Sequence, residues 1–437
     1  MEQKEHIISG KYLLTMDGQG SILEDGAVLV RGDTIVATGP APDLIGRHPG
    51  AEVLAEKHGL VMPGLINTHT HAAMSIFRGL ADDLPLMQWL QEYIFPREAE
   101  LTGEMVYHAT LLSLCEMIRS GTTSFNDMYL FAAAVARAAD ESGMRAWLGE
   151  VLYDFPSPNY GDLENGFSYM EQLFSDYAGH ELITVTANPH AVYTCSPELL
   201  GRLGRIAGDN KAIFHIHLSE NQDEVDTCRK HYGCNPVQHL DNLGLLNERV
   251  LAAHCVVLDD QDIALLAERR VKVAHCMESN MKLASGTAPV VGMLDAGVCV
   301  SIGTDGSASN NDLDMFGEMN TVAKVHKVAR MDSTVMNAES TLFAATMGGA
   351  KALGAAGEIG SLEVGKKADL IVLDFDQPHL SPVYNPVSHL VYAARGADVV
   401  HSVINGNLVM KDRKILTLDE PEILARMADI GRKMRDV

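Results

Sequence analysis

The chain has 437 residues, 46% of them hydrophobic, with 34 Lys and Arg against 58 Asp and Glu for a formal net charge of −24. That length supplies a large buried core, and at about 100–200 residues per domain it makes two or three domains, or one large barrel with an appendage. The acidic balance argues against nucleic acid as a partner, since every phosphate contact would draw on the minority cations.

The charged start, Met1–His6, lacks the apolar core of a secretory leader, and no stretch reaches the ~18 uninterrupted apolar residues that span a bilayer. A cytoplasmic protein without a membrane partner is expected. Seven cysteines, odd in number, scattered and without a CxxC pair, read as buried free thiols. Lys11–Met16, Ala27–Arg31 and Thr34–Thr38 alternate as strands, with a Gly32-Asp33 turn between the last two. Arg31-Gly32-Asp33 is read as hairpin chemistry, not as an adhesion motif.

Eight short apolar runs then recur between helix-length amphipathic stretches: Leu60–His69, Thr123–Asp127, Arg145–Leu152, Ile183–His190, Ala212–His217, Arg249–His254, Val271–His275 and Val298–Thr304. The separators Thr102–Ser120, Leu130–Gly143, Pro197–Gly208, Asp259–Arg269 and Val290–Ala296 are predicted helices. Such alternation predicts an α/β fold, a (β/α)8 TIM-like barrel, because the glycine-rich loops of a doubly wound sheet are absent. Ala368–Phe375, Val399–Asn405 and Leu408–Lys411, the last after a Gly406-Asn407 turn, return to strand pattern. The expected domains are therefore a small β-sandwich formed by residues 1–62 and 361–437 around a barrel of residues 63–360.

Metal-competent residues gather at the C-terminal ends of these strands, where barrel enzymes keep their chemistry. They are His69 and His71, His190, His217, His254, His275 and Asp305. Residues i and i+2 of a strand share a side, so His69 and His71 can face one ion. A lone HxH pair is weak evidence; further histidines at successive strand ends are not. Three imidazoles and a carboxylate suit zinc or another borderline divalent ion with room for water, and such an ion brings the water's pKa close to neutrality. Glu220, three residues beyond His217, lies within reach of a substrate atom and can act as general acid and base; its plainer reading is a first-turn helix carboxylate. The fourth strand, ITVTANPH, has no Lys to bridge two metals, which favours a single ion.

PGLINTHTH (Pro63–His71), HIHLSE (His215–Glu220), HCMESN (His275–Asn280), TDGSASNN (Thr304–Asn311) and GSLEVGKKADLIVLD (Gly360–Asp374) together resemble the amidohydrolase superfamily. Within it they are most similar to the deaminases of 5′-methylthioadenosine, S-adenosylhomocysteine and adenosine. The resemblance implies one divalent transition metal, zinc, ligated by His69, His71, His217 and Asp305. It also implies that His254 polarises the attacked centre, Asp305 accepts the water proton and Glu220 protonates the purine ring, so that C6 loses ammonia and an inosine product remains. Trp89–Glu98 is similar to the family's substrate-capping stretch, with Glu98 on the ribose hydroxyls; His190 and Ser309 match further substrate contacts, and Trp89 either covers the purine or belongs to the core.

Homocysteine-binding members present arginines where this chain has Glu150 and Asp162, so neutral 5′-substituents are expected to be preferred, with Glu150 near the substrate. Met277 replaces a common Pro. The partner expected is a small adenine nucleoside, and a homo-oligomer is left open. The competing enzyme class acts on a free heterocycle such as guanine, 8-oxoguanine, a pterin or a triazine, for which Glu98 would have no ribose to hold. A non-catalytic metal-binding scaffold would have no use for Glu220 and His254.

Overall fold

The computed structural model describes residues 4–18 and 20–435; Met1–Gln3 of the charged start lie outside them. The chain opens with β1 (Glu5–Leu14), β2 (Ile22–Arg31), β3 (Thr34–Pro40) and β4 (Glu52–Pro63). The next nine strands are β5 (Leu65–Thr70), β6 (Thr122–Tyr129), β7 (Arg145–Leu152), β8 (Ile183–Val185), β9 (Asn188–Pro189), β10 (Phe214–Leu218), β11 (Val250–His254), β12 (Lys272–His275) and β13 (Cys299–Ile302). The last four are β14 (Leu370–Asp374), β15 (Val399–Ile404), β16 (Asn407–Lys411) and β17 (Lys414–Ile415).

The middle strands form the barrel. β5 to β8 and β10 to β13 pair in parallel in chain order, and the bridges Ala187↔Phe214 and Ala191↔His217 join the two halves. Asp305 N–H donating to His69 O at 3.0 Å and Thr68 Oγ1 donating to Ile302 O at 2.9 Å close β13 onto β5. Every residue of β5, β6 and β7 is buried, as expected for a sheet covered on both faces. Helices Gly103–Arg119, Ala132–Ser142, Pro197–Asp209, Asp260–Glu268 and Val290–Asp295 match the amphipathic separators to within two residues at either end. Side-chain caps fix two of their starts: Thr102 accepts from Met105 N–H, and Asp259 forms a capping box with Asp262.

Two expected strands divide. Leu60–His69 breaks at Gly64, where a Cβ would stand 2.0 Å from Thr123 Oγ1; the chain leaves one sheet there and enters the next. Ile183–His190 breaks between β8 and β9, which both pair with β7.

The terminal strands make one sheet in the order β17-β16-β15-β14-β4-β1-β2-β3. It folds over on itself as the expected sandwich: Val28, Val30 and Ile35 share an apolar cluster with Leu370, Val372 and Val403 from the far side. The two hairpin turns meet, since a Cβ on Gly406 would lie 2.0 Å from Gly32 O. Asp33 pairs with Lys367 inside this junction, which accounts for the Arg31-Gly32-Asp33 triplet structurally. Sheet and barrel are joined by a buried ion pair, Arg145 Nε to Asp369 Oδ2 at 2.7 Å, with Asn405 N–H also on that carboxylate at 2.6 Å. All seven cysteines are free.

Between β5 and helix Gly103–Arg119 the chain detours over the barrel mouth through short helical turns, including a π-helical turn at Trp89–Ile94. Leu86, Trp89, Leu90 and Ile94 are buried beneath it, each apolar side chain contributing about 1.5–3 kcal/mol. Among the described residues no helix is long and apolar enough to cross a membrane.

Candidate active site

The histidines are aimed by the bonds behind them. His215 Nδ1–H donates to Leu251 O at 2.9 Å, so its Nε2 accepts from His69 Nδ1–H at 2.8 Å. That leaves His69 Nε2 as a bare lone pair, buried and without a hydrogen-bond partner. His71 Nδ1–H donates to Met128 O at 2.5 Å and His217 Nδ1–H to His190 O at 2.8 Å. Their Nε2 atoms then face each other at 3.2 Å with no proton assigned to either by these bonds. Opposed lone pairs at that distance require a cation or a proton between them. Burial holds His69 down to about 4 and His217 well below its ordinary value. Burial also works against charge on His71, but the Asp305 carboxylate overrides it and lifts the ring to about 9, so a proton and a metal compete for one nitrogen.

Asp305 lies 3.3 Å from His69 Nε2 and 3.2 Å from His71 Nε2. Ser279 and Ser309 hydroxyls donate to its Oδ2 at 2.6 and 2.7 Å, and Gly306 N–H to its Oδ1 at 2.8 Å. Burial alone would raise its pKa, but the two imidazoles hold it well below the carboxylate range. Ligand atoms of His69, His71 and His217, and separately of His69, His254 and Asp305, lie within 4.8 Å of one another. The donor set, with its orphaned Nε2, fits a divalent cation.

One cavity gathers His71, His190, His217, Glu220, His254 and Asp305. Glu220 is buried, which raises its pKa, and no side-chain hydrogen bond to it is found among the described residues. His254 Nδ1–H donates to Asn280 Oδ1 at 3.0 Å, leaving Nε2 toward the cavity. Glu98 lines the same cavity beside the Tyr129 hydroxyl, its carboxyl pushed up to about 7 by burial although that hydroxyl and His71 pull it the other way. His190, held down to about 3 by burial, gives one ring nitrogen to Thr194 Oγ1 at 2.8 Å. Trp89 is buried and lines the cavity.

The placement of Glu150 near the substrate is corrected. It does not line the cavity; its neighbour Val151 does, because successive strand residues face opposite ways. Glu150 turns to the N-terminus of helix Ala132–Ser142 and accepts from Ala132 N–H at 2.8 Å. Asp162 is also outside, exposed at the start of helix Leu163–Asp176. Ser309 does reach the cavity, but its hydroxyl is given to Asp305. His275 leaves the strand-end set: its Nε2 meets His326 Nε2 at 2.9 Å.

A model of the amidohydrolase family matches residues 60–409, and one of an imidazolonepropionase-like composite domain of bacteria matches residues 26–51. The chain belongs to the amidohydrolase family. Among its relatives, the 5-methylthioadenosine/S-adenosylhomocysteine deaminase of Syntrophobacter fumaroxidans is 55% identical over 97% of both chains. The deaminase 1 of that name from Syntrophus aciditrophicus is 47% identical over 100% of this chain and 99% of its own. An adenosine deaminase from Xanthomonas campestris, solved with bound zinc, superposes over 100% of both chains with a TM-score of 0.98 and 39% identity. This amidohydrolase is a hydrolytic deaminase that uses a divalent metal.

Several supporting residues of the amidohydrolase centre carried no role in the sequence reading. His215 sits in HIHLSE and orients His69; Asn280 and Ser279 sit in HCMESN and orient His254 and Asp305. The i, i+2 spacing of His215 and His217 was the available signal for the first. Met277, at the family's common Pro position, uses its N–H to bond Glu318 at 2.5 Å.

Proposed function

We propose that this chain hydrolyses the C6 amino group of an adenine nucleoside, with one zinc ion held by His69, His71, His217 and Asp305. The observation that carries the reading is the convergence of His69 and His71 Nε2 on Asp305, with His217 Nε2 3.2 Å from that of His71, in one cavity with Glu98 and a Glu220 carboxyl free of side-chain hydrogen bonds among the described residues. A divalent ion held by these residues would supply Lewis acidity and would lower the pKa of a water beside it. Asp305 accepts the proton that this water loses, in a carboxylate held by Ser279, Ser309 and Gly306. Glu220, whose pKa burial raises, donates to the purine ring nitrogen as C6 becomes tetrahedral. His254, oriented by Asn280, hydrogen-bonds the oxygen arriving at C6. Collapse of the tetrahedral carbon releases ammonia, so water and adenosine become ammonia and inosine.

Glu98 grips the ribose hydroxyls in this reading, and Trp89 lies over the base. A second cavity of about 520 Å3 continues past Phe95, Glu98, Tyr153 and Tyr193, which line both. Its walls include Met87, Phe155, Pro156 and Pro158, with Asp223 and Glu224 toward one side and no Lys, Arg or His among the described lining residues. This is where a 5′-substituent extends. It suits an apolar thioether and gives a terminal carboxylate no cation, so the preference for neutral 5′-groups rests on this chamber and not on Glu150 or Asp162. Comparing kcat/KM for adenosine, 5′-deoxyadenosine, 5′-methylthioadenosine and S-adenosylhomocysteine tests it. The first three should exceed the last; S-adenosylhomocysteine in front would overturn the preference, and no turnover of any would overturn the nucleoside reading.

A further inference from the structure

Glu224 is the most constrained acid near the site that the mechanism leaves unused. It lies in the first turn of helix Gln222–Tyr232, following β10, and is 3% exposed. Its two carboxyl oxygens accept from two consecutive backbone amides, Ser219 N–H at 3.0 Å and Glu220 N–H at 2.7 Å. Ser219 holds a left-handed φ of +52°, a conformation costly for a residue with a Cβ and maintained only where its surroundings over-determine it. The opposite side of the turn is held too. Ser219 O accepts from Val256 N–H at 3.0 Å and Val257 N–H at 2.9 Å, in the loop that leaves His254, while Leu218 O accepts from Cys255 N–H at 3.0 Å. The turn carrying Glu220 is therefore clamped between the Glu224 carboxyl and the loop that carries His254.

We infer that Glu224 is a positioning residue that sets the place of the Glu220 carboxyl through the two amides it binds. The inference rests on the proton-carrying role given to Glu220 above. Glu220 itself accepts no side-chain hydrogen bond among the described residues, so its aim is fixed by its backbone, and its backbone is fixed by Glu224. A carboxyl group is required because both partners are donors; an amide at this place turns one NH2 toward an N–H and loosens one of the two. Small misplacements of a reacting group cost up to about 10²-fold in rate. The loss belongs in kcat, since Glu98, Trp89 and His190 bind the substrate from other elements.

A double-mutant cycle in the metal-loaded full chain, with adenosine as substrate and enzyme in excess for the slow variants, separates this role from general support of the fold. Glu224→Gln should lower kcat by about 10²-fold with KM, metal content and far-UV circular dichroism little changed. In the Glu220→Gln background the same substitution should lower the rate no further, because the group it aims is already disabled. Multiplied losses in the double variant, or parental kcat in Glu224→Gln, would overturn the inference. Glu224→Asp, which keeps the carboxyl group and withdraws it by one methylene, serves in the same cycle if the Gln variant does not fold, and the same two outcomes decide it. Parental kcat in Glu220→Gln alone would instead sink the proposed function.

Discussion

Histidines stand at the C-terminal ends of β10 and β12 alike, yet the two ends do different things. At β10, His217 gives its Nδ1 proton to a backbone carbonyl and leaves Nε2 3.2 Å from that of His71. At β12, His275 spends Nε2 on His326 at 2.9 Å, and its Nδ1 is buried without a partner. A strand end delivers the side chain to the barrel mouth; the bond behind the ring decides whether a nitrogen is left for a ligand. The carboxylates repeat the lesson. Among the described residues Glu220 keeps its oxygens clear of side-chain partners, whereas Glu150 turns away and holds a helix start.

The largest effect should separate the two histidine sets. His217→Ala should lose tightly bound metal and, with it, turnover, whereas His326→Gln should keep near-parental metal content and activity. The latter should be less stable by about 1–3 kcal/mol, the usual cost of disturbing a buried polar pair. Metal analysis after dialysis and thermal unfolding read both. Metal loss in His326→Gln would break the comparison.

Next come the two acids. Glu220→Gln should lower kcat by about 10²–10⁴ while retaining metal. Glu150→Gln should keep kcat and lose only about 1 kcal/mol of stability, since the amide oxygen still accepts from Ala132 N–H. A large kcat loss in the second would return Glu150 to the substrate.

His215 sharpens the account of how ligands are aimed. It touches no proposed substrate atom, and His215→Phe removes the acceptor that fixes the His69 tautomer. Metal affinity should fall about 10- to 100-fold, read by competition with a chelator.

The barrel strands, five of the helices, the Gly32-Asp33 turn and, one residue out of place, the second hairpin turn were legible because burial on both faces, amphipathic spacing and turn residues each leave a local pattern. The gathering of histidines at the barrel mouth was legible for the same reason: a strand end is a sequence position. What a strand end does not state is which way the last residue faces, so Val151 rather than Glu150 entered the cavity. His275 failed for another reason, since its partner His326 lies on helix Met315–Arg330 and no local pattern links them. The Gly64 break reflects a close approach to Thr123 that only tertiary structure reveals. Glu224 carried the pattern of an ordinary first-turn carboxylate, and its bonds run backward into the loop.

The smallest effect concerns pH. Burial pushes Glu98 up to about 7, so its ionised, hydrogen-bond-accepting form is lost as pH falls through that value. The KM for adenosine should therefore rise several-fold on the acid side of neutrality. Glu98→Gln should raise KM throughout and flatten that dependence; an unaltered profile would remove Glu98 from the ribose.

Hydrolysis of adenosine in H218O by the zinc-loaded chain tests the central claim most directly. Mass spectrometry should find inosine carrying one 18O at C6, with one ammonia released per inosine formed. Adenosine returned unchanged while guanine or an aminated triazine is converted would contradict it.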